Sequence, residues 1–281
     1  MAKLPIDQRL QIEQAIEDEF VEQDFRPYLG ISSIGDSCPR KLWYGFRLCG
    51  KERITARQNR LFSRGHREEF IIQSDLKKAG VICHVDPKNQ PEVMCGNGHI
   101  KGHPDDILTR IPDAPKTPHL GEYKTHNDKS FKDLKKKGLI SSKPVHYAQM
   151  IVYMHLLKLK RGLYVAVNKN DDERYYERIS ENPDKANELI QKGESIISTE
   201  NPPQKIGNST WFECKWCKYY LICHFGEEPL KNCRTCRFCD IYDEGKWKCS
   251  GYKIWLSFGQ QKIGCHRHKF LKSLIPQNGP S

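Results

Sequence analysis

The chain of 281 residues carries 46 Lys and Arg against 35 Asp and Glu, 12 Cys, and 37% hydrophobic residues. That length suits one good-sized domain plus an appendage, and the apolar fraction can build a core. No run approaches the roughly 20 apolar residues that a membrane span requires, and the opening MAKLPIDQRLQIEQAIEDEF is acidic and amphipathic, so the expectation is a cytoplasmic chain without a membrane partner. In a reducing compartment its cysteines read as metal ligands or buried thiols rather than disulfides.

Residues 6–23 set Leu10, Ile12, Ile16 and Phe20 at roughly helical spacing among acids, which predicts an amphipathic helix on the outside of the domain. A Gly-Asp-Ser turn at 35–37 precedes Cys38 and a basic, aromatic stretch, PRKLWYGFR, and residues 56–79 read as a second helix. From Val81 to Thr125 the pattern changes to short β-branched runs broken by Gly, Pro and Asn, with Gly96-Asn97-Gly98 as a hairpin signal. Residues 144–159 are apolar at helical spacing, GLYVAVNKN and RYYERI alternate like two strands, and 183–198 return to helix. After Pro202-Pro203 the chain becomes rich in Cys, Lys and Trp through Lys269, then ends in a tail that reads as frayed. The order α, β-meander, α, β, β, α places the chain in the α/β class. Four segments follow: an N-terminal helix in 1–29, a main domain over 30–228, a Cys-rich module over 229–272 and a flexible tail over 273–281.

The net charge of +11 is not spread evenly: residues 101–160 hold 12 basic against 6 acidic side chains, and residues 204–281 hold 13 against 6. Basic blocks of this kind suit a polyanion, through phosphate contacts and counterion release; a solvated Lys-rich surface is the plainer alternative.

Within the first block, GHPDDIL (102–108) contains Asp105, and HLGEYKTHN (119–127) contains Glu122 and Lys124. On a strand, residues i and i+2 share a face, so Glu122 and Lys124 project together, and a neighbouring strand can bring Asp105 beside them. Two carboxylates make a hard-oxygen site for Mg²⁺ or Mn²⁺, and a nearby ammonium can orient or deprotonate an attacking water, which is phosphodiester hydrolysis chemistry. The triplet alone is worthless: acid-x-Lys also begins at positions 75, 86, 133, 213 and 244. Context separates Glu122 from these, namely the upstream Gly102-x-x-Asp105, a following helix with Gln149 and Tyr153 on one face, and an earlier helix with Gly65 four residues before Glu69. An ordinary surface pair, helix surface and solvated acid are the plain readings of the separate pieces.

In order, Gly65-x-x-x-Glu69, Gly102-x-x-Asp105, Glu122-x-Lys124 and Gln149-x-x-x-Tyr153 resemble the four motifs of the RecB-like branch of the PD-(D/E)XK nucleases, over about residues 30–225. The resemblance implies a restriction-endonuclease-like core, a central mixed sheet flanked by helices. It also implies that Asp105 and Glu122 ligate the metal, that Lys124 assists the water, and that Gln149 and Tyr153 position DNA or the site. Many relatives have His where this chain has Glu69, which can still serve as a ligand.

Cys214-x2-Cys217-x5-Cys223 is dense, and three clustered cysteines need a fourth thiolate or a His to close a site. Cys38 is the candidate, with Cys49 and His224 as substitutes. This one-plus-three layout is similar to the iron–sulfur nucleases, the AddB nuclease domain and the CRISPR-associated adaptation exonucleases, which implies a 4Fe-4S cluster stapling the two ends of the domain. Zn²⁺ in the same ligands, or buried free cysteines, are the alternatives. Arg40, Lys41 and Tyr44 mix charge with a flat ring and suit single-stranded DNA; core packing is the duller option, favoured for Trp43. Downstream, Cys233-x2-Cys236, Cys249 and Cys265 make the best tetrad for a zinc-ribbon-like Zn²⁺ site, with Cys239 and His268 as alternates. About 55 residues cannot bury a large core, so a metal would supply folding energy there. Cys83 and Cys95 are most simply buried thiols.

The expectation is a metal-dependent DNA nuclease, an exonuclease on single strands or resected ends in replication, recombination or repair, with a partner protein delivering substrate and a phage-like source by analogy. The alternative is a noncatalytic DNA-binding or assembly subunit. An intact Asp105, Glu122 and Lys124 set favours the enzyme.

Overall fold

The computed structural model describes residues 6–17, 21–22, 24–51 and 53–275. Phe20 and the last six residues of the expected tail lie outside them.

Helix α1 (Ile6–Glu17) forms as its spacing predicts, but Leu10, Ile12 and Ile16 remain exposed. An ion pair from Arg60 to Glu17, 2.8 Å, ties it to the body. β1 (Val21–Glu22) pairs with β3 (Arg53–Ile54), and β2 (Leu29–Gly30) lies between them in sequence. The stretch PRKLWYGFR, given no element by its pattern, is helix α2 (Pro39–Phe46). It starts on Pro39, with the Cys38 Sγ accepting from the Lys41 amide at 3.4 Å. Helix α3 (Ala56–Lys78) opens with a reciprocal capping box between Thr55 and Gln58 and closes with Lys77 and Lys78 over its carbonyl end.

The β-rich stretch supplies β4 (Ile82–Cys83), β5 (Val93–Cys95), β6 (Ile100–Gly102), β7 (Asp106–Thr109) and β8 (His119–His126). Helices α4 (Asp128–Ser142) and α5 (Pro144–Leu156) then lead to β9 (Arg161–Asn168), β10 (Arg174–Ser180) and α6 (Pro183–Ser198). The central sheet has the order β10-β9-β8-β7-β4, with β8 and β9 parallel and every other pair antiparallel. A parallel pair needs a long crossover, which α4 and α5 provide. Gly138, at φ 72°, breaks α4 before its last turn. A smaller sheet, β2-β6-β5, stands beside the first.

Alternation along the strands divides the core. Tyr123, Leu163, Val165 and Val167 pack with Ile72 and Leu76 of α3 on one face, while Leu120, Tyr164 and Ala166 pack with α2, α5 and α6 on the other. Seven of the eight β9 residues are buried, as expected for a strand covered on both faces. The result is a mixed α/β fold with a central mixed sheet flanked by helices.

Beyond α6 come α7 (Phe212–Lys215), α8 (Tyr220–Phe225), the antiparallel strands β11 (Cys239–Ile241), β12 (Trp247–Cys249) and β13 (Ile254–Trp255), and α9 (Phe258–Gln261). This Cys-rich segment is seated on the main domain. Its Cys236, Cys239, Trp247, Leu271 and Leu274 belong to the same apolar cluster as α2, α5 and α6. The buried Arg234 guanidinium donates to the carbonyls of Phe46 (2.9 Å) and Pro27 (2.6 Å) and to Gln261 Oε1 (2.7 and 2.9 Å). It lies over the rings of Trp247, Phe46 and Phe258. Burial pushes the guanidinium down to about 9, and those contacts supply its partners inside the fold. Asn232 Nδ2 donates to the Leu48 carbonyl at 2.9 Å. Gly98 and Gly245, both at positive φ, meet backbone to backbone; a Cβ on Gly98 would fall 2.8 Å from the Gly245 nitrogen. Among the described residues no helix is long and apolar enough to cross a membrane.

Candidate active site and cysteine centres

Strand register assembles the carboxylates. Pairing of Asp106 with Gly121 on antiparallel β7 and β8 sets Asp105 opposite Glu122, and Glu122 and Lys124 share a face of β8. Lys124 Nζ donates to Glu122 Oε1 in a short contact, to Asp105 Oδ2 at 3.4 Å and to the Tyr123 carbonyl at 3.1 Å. Asp105 Oδ2 also accepts from the Tyr123 amide at 2.8 Å. Glu122 is fully buried, and its Oε2 has no hydrogen-bond partner among the described residues. Burial pushes the Glu122 carboxyl well above its ordinary range, the Asp105 charge pushes it further, and Lys124 opposes both. For Lys124, burial disfavours the ammonium, yet the fields of Asp105 and Glu122 outweigh it and hold the proton on nitrogen.

Glu69, half-buried on α3, joins this group. Burial first, then the Asp105 charge, raise its carboxyl to about 7 against the pull of Lys124. Tyr153 is buried on α5 with its hydroxyl donating to the His103 carbonyl at 3.2 Å, and the Glu122 and Asp105 charges raise it further above its ordinary range after burial does. Its approach requires Gly102, where a Cβ would stand 2.3 Å from the Tyr153 hydroxyl. Gln149 lies one turn earlier on α5, also buried.

The neighbouring Asp106 goes the other way. Its carboxylate accepts from Gln73 Nε2 (2.8 Å), the Tyr123 hydroxyl (2.9 Å) and the amides of His84 (3.0 Å) and Val85 (3.1 Å), an internal anchor between sheet and α3. Sequence reasoning missed a second group, on the Glu122 side of the sheet. The Tyr164 hydroxyl lies 2.9 Å from both His126 Nε2 and His146 Nδ1, and the two imidazoles stack at 5.7 Å. Burial first, then the charges of nearby lysines, lower His126 to about 4 and His146 to about 3. The signal was present: His126 is two residues beyond Lys124 on β8, and His146 is three before Gln149 on α5.

Three carboxylates crowd one ammonium here, two of them with raised proton affinity and one with an orphaned oxygen. The donor types are those of a site for a small hard cation. Among the described residues, however, no group of three or more His, Cys, Asp or Glu side chains is close enough together to hold a metal ion.

Each cysteine set lines one cavity. Cys38, Cys214, Cys217 and Cys223 surround an opening of about 450 Å³, with the substitute His224 on its wall. Cys49 is buried instead in the apolar core. Cys233, Cys236, Cys249 and Cys265 line a far tighter space of about 20 Å³, together with Cys239 and His268. Cys239 faces Cys249 across β11 and β12. Burial raises Cys83 to about 12 and Cys95 to about 11.

The residues nominated for nucleic acid are committed internally. Tyr44 is 3% exposed and takes a hydrogen bond from Arg40 Nε at 3.1 Å, which keeps its ring from a base. Arg40 also donates to the Pro203 carbonyl (2.8 Å), and Lys41 pairs with Asp36 (2.6 Å). Trp43 is core, its Nε1 donating to the Thr199 carbonyl at 2.9 Å.

No family model matches the chain, and no curated protein matches it. Among solved structures it is similar to SSO0001, with 20% identity over 78% of this chain and 96% of that one and a TM-score of 0.42. It is also similar to an alkaline exonuclease, LHK-Exo, from Laribacter hongkongensis, with 18% identity over 61% and 87% of the two chains and a TM-score of 0.43. The same exonuclease in complex with dAMP gives 15% identity, the same coverage and a TM-score of 0.41. Likeness at this level assigns no activity.

Proposed function

We propose that the chain is a metal-dependent deoxyribonuclease of the PD-(D/E)XK type, an exonuclease that hydrolyses phosphodiester bonds of single-stranded or resected DNA ends, supplied with substrate by a replication or recombination partner. One observation carries the reading: Lys124 donates to both Asp105 and Glu122 on one face of β8, with Glu69 facing the same group from α3. The order of the four motifs along the chain and the excess of 12 basic over 6 acidic side chains in residues 101–160 support it.

Asp105 and Glu122, with Glu69, would hold Mg²⁺ or Mn²⁺, which would neutralise the carboxylates and polarise the phosphate. Lys124 Nζ keeps a proton beside the place where negative charge develops during hydrolysis. Tyr153, buried on α5 within reach of the Glu122 and Asp105 charges, would position the site, with Gln149 one turn earlier on the same helix. Cys38, Cys214, Cys217 and Cys223 would hold a 4Fe-4S cluster, and Cys233, Cys236, Cys249 and Cys265 a Zn²⁺ ion, both in structural roles.

End-labelled single- and double-stranded DNA incubated with Mg²⁺, Mn²⁺ or EDTA tests the activity. Cleavage is expected with Mn²⁺ and absent in EDTA. Asp105→Ala should abolish it, and Lys124→Ala should lower it roughly 10²- to 10³-fold, with circular dichroism unchanged. Unaltered cleavage in either variant would sink the site, and DNA binding without cleavage in the wild type would favour a noncatalytic binding subunit.

A further inference from the structure

The side chains that link β8, β9 and α5 form a hydrogen-bonded chain with one open end. Tyr164 is the register partner of Glu122, so its side chain stands on the face of the sheet that carries Glu122, Lys124 and His126. Its hydroxyl holds a single proton between His126 Nε2 and His146 Nδ1, both at 2.9 Å, and therefore donates to one ring and accepts from the other. Ser130 Oγ, 3.3 Å from His126 Nδ1, continues the chain. At the other end, His146 Nε2 bonds to nothing among the described residues and is not one of the buried polar atoms left unpaired there, so it faces water. Helix α5 is buried from Ala148 to Met154; His146 lies ahead of that run, half-buried, on the stripe that continues to Gln149 and Tyr153.

Charge around this open end has one sign. Lys124 and Lys143 act on His146, and Lys143, Lys169 and Lys124 act on His126, with no carboxylate beside them. Lys169 is pushed down by burial and then by the Arg64 charge, and no acid opposes either. Lys143 meets Asp133 only at 4.0 Å, and that carboxylate holds Lys137 at 2.7 Å. An anion is the matching guest. The chain of hydrogen bonds can run two ways. Run outward, Ser130 donates to His126 Nδ1, His126 Nε2 to Tyr164, and Tyr164 to His146 Nδ1, which leaves an N–H on His146 Nε2. Run inward, it leaves a bare lone pair there. A phosphate presents acceptor oxygens, so it selects the outward run. We propose that His146 Nε2 is a phosphate-binding group that donates to a backbone phosphate of DNA beside the carboxylates, and that Ser130, His126 and Tyr164 are positioning residues that turn its N–H outward. The inference rests on the nuclease reading for its choice of polymer. The lysines attract the strand from any direction, whereas a single N–H on a fixed ring sets where one phosphate lies.

Long-range proton–nitrogen NMR of the full-length, metal-loaded protein with ¹⁵N-labelled histidine, near neutral pH and without added Mg²⁺ or Mn²⁺, reads the tautomer. Oligothymidylate should move the His146 signals and fix them in the Nε2–H form, and Tyr164→Phe, which removes the shared hydroxyl, should leave a mixture of forms. In fluorescence anisotropy, His146→Ala should weaken oligothymidylate binding roughly 10- to 100-fold without changing its salt dependence, since the imidazole is neutral. Lys169→Ala should lower the slope of log affinity against log salt by about 0.7. His146→Gln, whose amide nitrogen can donate from the same place, should keep most of the affinity. A bound His146 in the Nδ1–H form or wild-type affinity in His146→Ala would overturn the proposal. So would a His146→Gln variant as weak as His146→Ala, because packing alone would then be at stake. Binding is read without cleavage: an inactive protein that binds through His146 removes the nuclease reading alone, and an active one indifferent to His146 removes this contact alone.

Discussion

The two cysteine regions differ in what they join and in how much room they leave. The first brings Cys38 to a cluster 176 positions later, around a cavity of about 450 Å³. The second gathers residues 233–265 around about 20 Å³, the room of one small atom or ion. Closing the longer loop costs the unfolded chain about 1.5 kcal/mol more entropy than the shorter one. A group bound at the first centre therefore pins distant parts of the fold, whereas one bound at the second organises a short segment that the main domain already holds through Arg234 and Asn232. Spacing in the sequence gives both sets similar standing as ligand groups, and the cavities distinguish them.

The sharpest break of that comparison is Cys217→Ala against Cys236→Ser. Cys217→Ala should lose iron, colour and most soluble protein. Cys236→Ser should lose one equivalent of zinc and keep its iron, as read by elemental analysis and visible absorbance. Cys239→Ser should keep the zinc, because the proposed tetrad of Cys233, Cys236, Cys249 and Cys265 already fills four positions. Iron retained in Cys217→Ala, or zinc retained in Cys236→Ser, would remove the distinction.

Next in size is the clamp between the regions. Arg234→Ala leaves the Phe46 carbonyl and Gln261 Oε1 without their buried partner and opens a void beside Trp247, and should cost about 3–5 kcal/mol. That corresponds to roughly 10 °C in melting temperature. Calorimetry showing two transitions, the second segment melting first, would sharpen the comparison, whereas an unchanged melt would show that the clamp is idle.

The smallest effect separates the sheet from both centres. His126 and His146 are held neutral in the fold, to about 4 and about 3, while the unfolded chain binds protons near the ordinary 6.5. Their contribution is therefore complete above pH 6.5 and is lost as pH falls toward 4. A His126→Asn/His146→Asn variant should have a flatter loss of stability between pH 6.5 and 4 than the parent, measured by denaturant titration with metal content followed in parallel. An equal slope in both proteins would show that the acid sensitivity lies elsewhere in the fold.

Much of this was legible because local chemistry and periodicity agreed. Helices α3 and α6 fall within one residue of their apolar and capping signals, and the parallel β8–β9 pair follows from two strand-like runs separated by helix. Helix α4 was not legible: its lysines hide the buried Phe131, Leu134 and Leu139, and Gly138 breaks the pattern. Helix α2 was masked by its aromatic mixture, since Trp43, Tyr44 and Phe46 read equally well as strand or platform. At the site, the Glu122 and Lys124 pairing followed from period two. The division of labour between Asp105 and Asp106 needed the register, because adjacent residues differ only in which face of the sheet they meet. Arg234 was illegible for a general reason: its partners lie some 190 positions earlier, and a charge among Cys ligands suggests surface.

That guanidinium also sets an order in time. The carbonyls of Phe46 and Leu48 leave the ribosome early and wait for Arg234 and Asn232, which emerge nearly two hundred residues later. A nascent chain halted anywhere before residue 232 presents the end of α2 unclamped and the walls around Trp247 unfilled, so that side of the fold closes only after the segment from Asn232 to Gln261 has been made.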